Sequence, residues 1–492
     1  MALYPSKKKT DSAVRVEPEM REFHEEVLRL PADSSLEEAT GVNDTRSLQR
    51  RVLDLAWPVI GENFLQTLLG IIDTFLVASL GAAALAGVGG ALQILFFVIS
   101  ALSALSVGSA VLVSQAFGAR DFAHAGELAR QSLLWSVIIS IPLATVGFFL
   151  SESIIAIFNF EPDVAQIAVD YLEVTMATSV VMVAQIIGGG VLRGADDSRT
   201  PMLVTAFANI INVFLSYALI FGTFGLPALG AVGSAWASFL ARAVGFLLLL
   251  FVLWQGRNGV SIRGQKNWSP QLKPAKEIFK IGLPAAVEQL LITLSFIVLT
   301  IIVASLGTLT LAAHRIAMNA LSLSFLPGLG FGLAATALVG QSLGGKRPDE
   351  GAAAARIATF WCLLWMGLLG VILFVFASPI MYLFTDDPVV VEVGSVGLRV
   401  VAFAQPFWAI FFVQAGALRG LGNTQFPLLV NASSMWIAVG LAYLLIQTVS
   451  PSLGSVWGGF LITAPITGAI LWWRFQREIA GQSQRVAEEE TP

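Results

Sequence analysis

The sequence predicts an all-helical integral membrane protein, with twelve transmembrane helices in two six-helix pseudo-symmetric lobes. Three observations predict it. The 492 residues are 56% hydrophobic and only 13% charged, with a mean hydropathy of +0.76, whereas soluble chains carry about 25% charged residues. Beyond Arg51 the chain falls into apolar runs of about 20 residues or more, the length a bilayer asks of a helix. Finally, the chain repeats itself. Shifted by 226 positions (284 − 58), Pro58–Gly81 meets Pro284–Gly307, and 14 of the 29 positions from 58 to 86 are identical to their partners.

The elements follow in order. Residues 1–47 are polar and mixed in charge, and no apolar signal segment stands near the start, so they read as a cytoplasmic tail. A short amphipathic helix is expected at 17–30, with His24 solvated. The twelve runs lie near 53–78, 87–115, 130–150, 165–190, 201–222, 231–254, 278–303, 312–342, 354–377, 391–416, 427–448 and 455–475. Helices are required because lipid leaves open backbone groups unsatisfied. The expected organisation is an amino lobe over 48–255, a cytoplasmic linker at 256–277, a carboxy lobe over 278–476 and a cytoplasmic tail at 477–492.

Basic residues set the orientation. No Lys or Arg stands between Arg51 and Arg120, between Arg130 and Arg193, or between Arg419 and Arg474. Every second loop is free of them, so the positive-inside rule places both termini in the cytoplasm and demands an even number of spans. Six spans per half give both repeats one orientation, an arrangement typical of transporters that expose a central site to each side in turn.

The net charge of −4 gives no reason to expect a nucleic-acid partner. There is no HExxH, GxSxG or P-loop pattern. Three His and one Cys, Cys362, are too few for a spaced His/Cys metal cluster. The chain is therefore not expected to be an enzyme, and no cofactor is expected.

Ionisable groups inside spans are costly and are functional candidates by default. In the first span Glu62, Gln66 and Asp73 share one helical face, a stripe roughly 16 Å long. Asp73 sits among Ile71, Ile72 and Phe75. It is placed to take up a proton, to hold a hard monovalent cation with neighbouring hydroxyl and amide oxygens, or simply to tie its helix to a neighbour. Glu62 recurs as Glu288, beside Gln289, and suits a gate or a packing contact as well as a binding role. The fifth span aligns Asn209, Asn212 and Ser216 on one face, and the sixth aligns Ser234, Ser238 and Arg242. Such stripes either bind or glue helices together. Phe407 and Trp408 lie in an aromatic tenth span that either packs or lines a cavity for a flat cation. His314 and Arg315 open the eighth span, where a structural contact is expected.

Several motifs then recur in order. VSQAFGARD (113–121) answers VGQSLGGKR (339–347), and VLRGADDSRTP (191–201) answers ALRGLGNTQFP (417–427). AAHRIAMN (312–319) and FLPGLGFGLA (325–334) follow the second ASLG. With these the chain resembles the multidrug and toxic compound extrusion (MATE) family over about 48–476. The resemblance implies a MATE-like, V-shaped, twelve-helix fold. It implies export of small organic, often cationic and amphiphilic compounds, driven by inward H⁺ or Na⁺. It places a cation or proton-coupling site at Asp73, Asn212, Ser216 and Ser238, with Na⁺ at Asp73 as the one metal to consider. Ser216 stands where many relatives have Asp or Asn. Glu288 comes one turn earlier than the seventh-helix acid of some members, and Trp408 stands in place of a tenth-helix acid.

The expected protein is thus a plasma-membrane, multi-pass antiporter acting as a monomer among membrane lipids. The alternative within the same superfamily is a flippase for a lipid-linked precursor, whose cavity should be basic.

Overall fold

The computed structural model describes residues 34–263 and 268–490, with side chains from 46 onward except at 101, 103, 104 and 490. The helix expected at 17–30 and His24 lie outside the described residues. The first half holds α1 (Ser34–Ala78), α2 (Ala82–Gly118), α3 (Phe122–Phe149), α4 (Ser151–Ala156), α5 (Pro162–Gly194), α6 (Arg199–Phe221) and α7 (Ala231–Gln255). The second half holds α8 (Leu272–Ala304), α9 (Thr308–Gly344), α10 (Pro348–Val375), α11 (Ala377–Tyr382), α12 (Pro388–Ala402), α13 (Gln405–Gly420), α14 (Gln425–Thr448) and α15 (Leu453–Glu490). Among the described residues, eleven helices are long and apolar enough to cross a membrane, and α12 with α13 make a twelfth if taken as one bent span.

The 226-residue offset reaches the element ends. α2, α3, α4 and α5 start and stop 226 residues before α9, α10, α11 and the α12–α13 pair. The local signals repeat with it. Gly81 and Gly307 precede α2 and α9 at φ 111° and 108°, a region that suits glycine. Pro162 and Pro388 sit in the first turn of α5 and α12, where a missing N–H costs nothing. Asp387 caps α12, accepting a hydrogen bond from the Val389 N–H at 2.9 Å.

Some expectations needed correction. The chain is helical from Ser34, well before the expected first span. α8 begins at Leu272, inside the stretch expected to be linker. The expected tail beyond 477 continues α15 to Glu490. Two one-turn helices, α4 and α11, were not foreseen because six residues carry no periodicity to read. The tenth span is broken, with α12 and α13 meeting at 52°. Pro406 follows the break, and its repeat partner is Val180 inside the unbroken α5. Pro lacks the N–H that would continue the helical ladder.

The outside is apolar, as lipid requires. Phe75, Phe149 and Leu383 are more than 70% exposed. Inside, one cluster gathers Leu299, Leu321, Val401 and Trp457 of the second half. Another gathers Val77, Val88, Leu172 and Ala235 of the first.

The halves meet at the Lys/Arg-rich ends of α2 and α9. Gln115 Nε2 donates to the Gly420 carbonyl at 3.0 Å, and its partner Gln341 Nε2 donates to the Gly194 carbonyl at 3.3 Å. Each glutamine thus crosses to the opposite half, and the two bonds are related by the repeat. Arg51 adds an ion pair across the same seam, with Nη1 2.9 Å from Glu350 Oε1. Only glycine fits between the backbones. A Cβ on Gly118 would lie 1.8 Å from the Gln341 carbonyl oxygen, and one on Gly344 would lie 1.8 Å from that of Gln115.

Gly344→Ala is therefore expected to force the halves apart at this end. Ser114→Cys, buried opposite Gly340, should react with a maleimide severalfold faster in the Gly344→Ala background. An unchanged rate would show that the seam absorbs the methyl group. The native Cys362 is fully buried and gives little background.

Candidate cation and substrate cavity

A cavity of about 770 Å³ opens in the first half, within the range of sites that take drug-sized molecules. Among its lining residues only Leu333 comes from the second half. Glu62, Gln66 and Asp73 all reach it from α1, as three residues on one helical face must. Asn209 and Asn212 reach it from α6, and Ser234, Ser238 and Arg242 from α7.

Asp73 heads a hydrogen-bonded chain. Ser216 Oγ lies 3.2 Å from Asp73 Oδ1 and 3.1 Å from Asn212 Oδ1. Asn212 Nδ2 donates to Ser238 Oγ at 3.0 Å. A hydroxyl carries a single proton, so Ser216 serves one of its two acceptors at a time. Ser216 is fully buried behind the cavity wall and Asn212 is 2% exposed, so the chain is held rigidly. Asn209 is spent otherwise, donating to the Leu65 carbonyl at 2.8 Å and tying α6 to α1.

Among the described residues no three His, Cys, Asp or Glu side chains stand together as a metal cluster. The donors at Asp73 are one carboxylate with hydroxyl and amide oxygens. That set suits a proton or a hard monovalent cation.

Glu62 accepts from Arg193 Nη1 at 2.9 Å, and Thr205 Oγ1 lies 3.4 Å from its other oxygen. The second half repeats the arrangement: Glu288 Oε1 accepts from Arg419 Nη2 and from Asn431 Nδ2, both at 2.6 Å. All six residues obey the 226-residue offset. The first copy borders the cavity and the second does not. Glu288 is 2% exposed, inside the second half.

Four candidates stand away from the cavity. Besides Glu288, Gln289 is exposed on α8. Phe407 and Trp408 lie on α13, where Trp408 packs edge-on against Phe325 at 5.1 Å between ring centres. An aromatic-rich run gives no sign of which faces turn inward, and here Trp408 packs against the core of the second half. His314 stacks on Trp457 at 5.5 Å, a structural contact.

Sequence reasoning missed the α5 wall. Tyr171, Thr175, Ser179, Gln185 and Arg193 all line the cavity, where Ser234 joins them from α7. For Arg193 a signal existed. Leu-Arg-Gly recurs at the same offset as the repeated glutamate, and a repeated acid with a repeated base invites pairing. Tyr171, single in an apolar run, carried no such mark.

The turn between α5 and α6 holds two contrasting acids outside the spans. Burial pushes the Asp196 carboxyl above the ordinary range, despite Arg51 and Gln341 beside it. At Asp197 burial acts the same way but is outweighed. The side chain and backbone N–H of Thr200 and the Arg257 guanidinium hold that carboxyl below the ordinary range. Arg257 Nε lies 2.7 Å from Asp197 Oδ2, pinning the chain after α7 to the α5–α6 turn.

Comparison with known proteins agrees with this architecture. The MatE family pattern matches residues 58–218 and again 284–444, two stretches separated by the same offset. The chain is 33% identical over 418 residues to a probable multidrug resistance protein NorM of Thermotoga maritima, covering 84% of this chain and 89% of that one. It is 29% identical over 445 residues to a multidrug resistance protein NorM of Burkholderia vietnamiensis, covering 87% of this chain and 94% of the other. The fold matches that of a multidrug resistance MATE family transporter solved in an outward-facing conformation, with TM-score 0.83, 23% identity, and 89% and 97% of the two chains covered. With the motifs, the twice-matched pattern and the fold in agreement, the chain belongs to the MatE family of membrane transporters and is not an enzyme.

Proposed function

We propose that this protein is a secondary active multidrug exporter, exchanging small amphiphilic organic compounds for inward-moving H⁺ or Na⁺ at Asp73. The observation that carries the reading is Asp73 itself. It lies on the wall of a 770 Å³ cavity and is bonded through Ser216 to Asn212 and Ser238. A carboxylate held in an apolar bundle is expensive unless it has work to do. The similarity to NorM-type multidrug resistance proteins supports the substrate class.

The basic loops support a cytoplasmic place for the sealed ends of α2 and α9 and for both termini, and with it an outward-facing reading of the cavity. The bacterial relatives support a plasma-membrane location. Exchange requires that substrate and coupling ion favour opposite states. A lipid-linked phosphate would ask for a basic cavity, but the charged lining residues are Glu62, Asp73, Arg193 and Arg242, two of each sign.

The test is efflux of a fluorescent organic cation from proteoliposomes, under a Na⁺ gradient and under a pH gradient in turn. One gradient should accelerate efflux well above the leak, and that gradient names the coupling ion. Efflux at the leak rate under both, with folded protein, would remove the antiport reading.

A further inference from the structure

A second pocket lies beside the seam where the halves meet. It encloses about 520 Å³ between α2, α8 and the α13–α14 turn, with Leu112, Glu277, Lys280, Thr424 and Gln425 among its lining. Leu112 belongs to the first half and the others to the second. The pocket therefore straddles the joint, next to the bond from Gln115 to Gly420.

The repeat shows what is unusual here. Lys280, Thr424 and Gln425 stand 226 residues after Asp54, Ser198 and Arg199. In the first half Arg199 Nη2 closes on Asp54 Oδ1 at 2.6 Å. In the second half a lysine faces a glutamine instead. Among the described residues Lys280 makes neither a hydrogen bond nor an ion pair. Thr424 is 2% exposed, yet it precedes α14 without capping it, and among the described residues its hydroxyl meets no partner. A buried hydroxyl left in that way is costly. The N-terminal end of α14, a helix of 24 residues, adds its positive dipole at the same spot.

Lys280 also ends a basic stripe. Lys273, Lys276 and Lys280 fall at i, i+3 and i+7 of α8, on one helical face, and all three are exposed. None is paired among the described residues. Lysines near the N-terminal end of a helix oppose its dipole, so the first two do nothing for α8 itself. One acid stands among them, the partly exposed Glu277. Glu478, on α15, is already held by Asn423 and Arg474. Three lysines against one glutamate leave the patch positive.

We propose that this pocket holds the headgroup phosphate of an anionic phospholipid, as a resident of the seam rather than as cargo. Lys280 supplies the charge, Thr424 the hydroxyl donor, and the lysine stripe draws the lipid in. The orientation proposed above puts the pocket at the inner leaflet, where basic clefts between spanning helices take such headgroups. A seated headgroup touches both halves at their sealed end, since Leu112 lies across the joint.

The test is native mass spectrometry of the purified full chain, released from micelles holding equal amounts of phosphatidylglycerol and phosphatidylethanolamine. The wild type should retain phosphatidylglycerol at least about fivefold over phosphatidylethanolamine, the scale of one lysine at an anionic surface. Lys280→Gln should abolish the preference, and Thr424→Val should reduce it. Lys273→Gln, on the same stripe but outside the pocket, should keep most of it. Glycerol phosphate in excess should leave the lipid in place. Equal retention of the two lipids by the wild type would overturn the proposal. So would a preference for phosphatidylethanolamine, whose amine would hand the pocket to Glu277. Equal loss in Lys273→Gln and Lys280→Gln would overturn it as well, as the mark of a diffuse attraction. Displacement by glycerol phosphate would do the same, as the mark of a soluble phosphate ligand. No transport is measured, so failure of the exchange reading leaves this result readable.

Discussion

Asp73→Asn is expected to bring gradient-driven efflux down to the leak rate while leaving the protein folded. Asn fills the same space and can still accept from Ser216, whose hydroxyl lies 3.2 Å from Asp73 Oδ1. It cannot take up a proton, and it offers a cation no charge. The variant also fixes the cavity in the charge state of the ion-loaded carrier, with Arg242 unopposed. Binding of an organic cation should therefore weaken and become insensitive to both pH and Na⁺. Parallel efflux and binding assays on wild type and variant check both parts. Undiminished, gradient-dependent efflux in Asp73→Asn would make the residue a structural tie and turn attention to Glu62.

The second large effect is expected at Glu288, on stability. Glu288→Ala leaves Arg419 and Asn431 facing each other in the second half without the carboxylate that joins them. Stranding a buried charge typically costs about 3–5 kcal/mol. The lower end is expected here because Arg419 is 25% exposed and can partly find solvent. Removing both charges with Glu288→Ala and Arg419→Met should recover part of the loss, since an apolar pair carries no stranded charge. Unfolding of the purified protein in detergent measures it. At Glu62, which borders the cavity and is 13% exposed, the same substitution should disturb transport more than stability. If the two glutamates cost the same stability, the copies have not diverged in the way their surroundings indicate.

The contrast between the glutamates marks what could be read from the sequence and what could not. The spans were legible because a bilayer imposes one length and one polarity on every crossing. The repeat multiplied that signal, so α2, α5 and α9 were placed within a few residues. The stripe of Glu62, Gln66 and Asp73 was legible because helical geometry alone puts those positions on one face. Facing across helices was not. Nothing in the spacing of Phe407 and Trp408 told the inner face of α13 from the outer. Nothing local separated Glu62 beside a cavity from Glu288 inside a packed half. Arg242 looked like a side chain reaching for an interface, and only the placement of α1 and α5 against α7 puts it beside Asp73 and Tyr171. The bend before Pro406 had a visible cause, but its size depends on what packs around it.

The glycine seam between α2 and α9 sets an energy scale. Two neutral amide-to-carbonyl bonds contribute about 1 kcal/mol each, and a half-exposed ion pair such as Arg51–Glu350 contributes about 0–1 kcal/mol. Small residues add close contact but little buried side chain. Apolar packing of Leu102, Leu105, Val183 and Ile187 on Ile278 adds to these polar contacts. From a one-percent population, a ligand that discriminates between the conformers by about a hundredfold brings them near parity, and full reversal takes about ten-thousandfold. An ion bound elsewhere in the first half therefore opens the seam only by discriminating strongly between the two conformers, and the narrow fit of the glycines sets how closely the closed one is held.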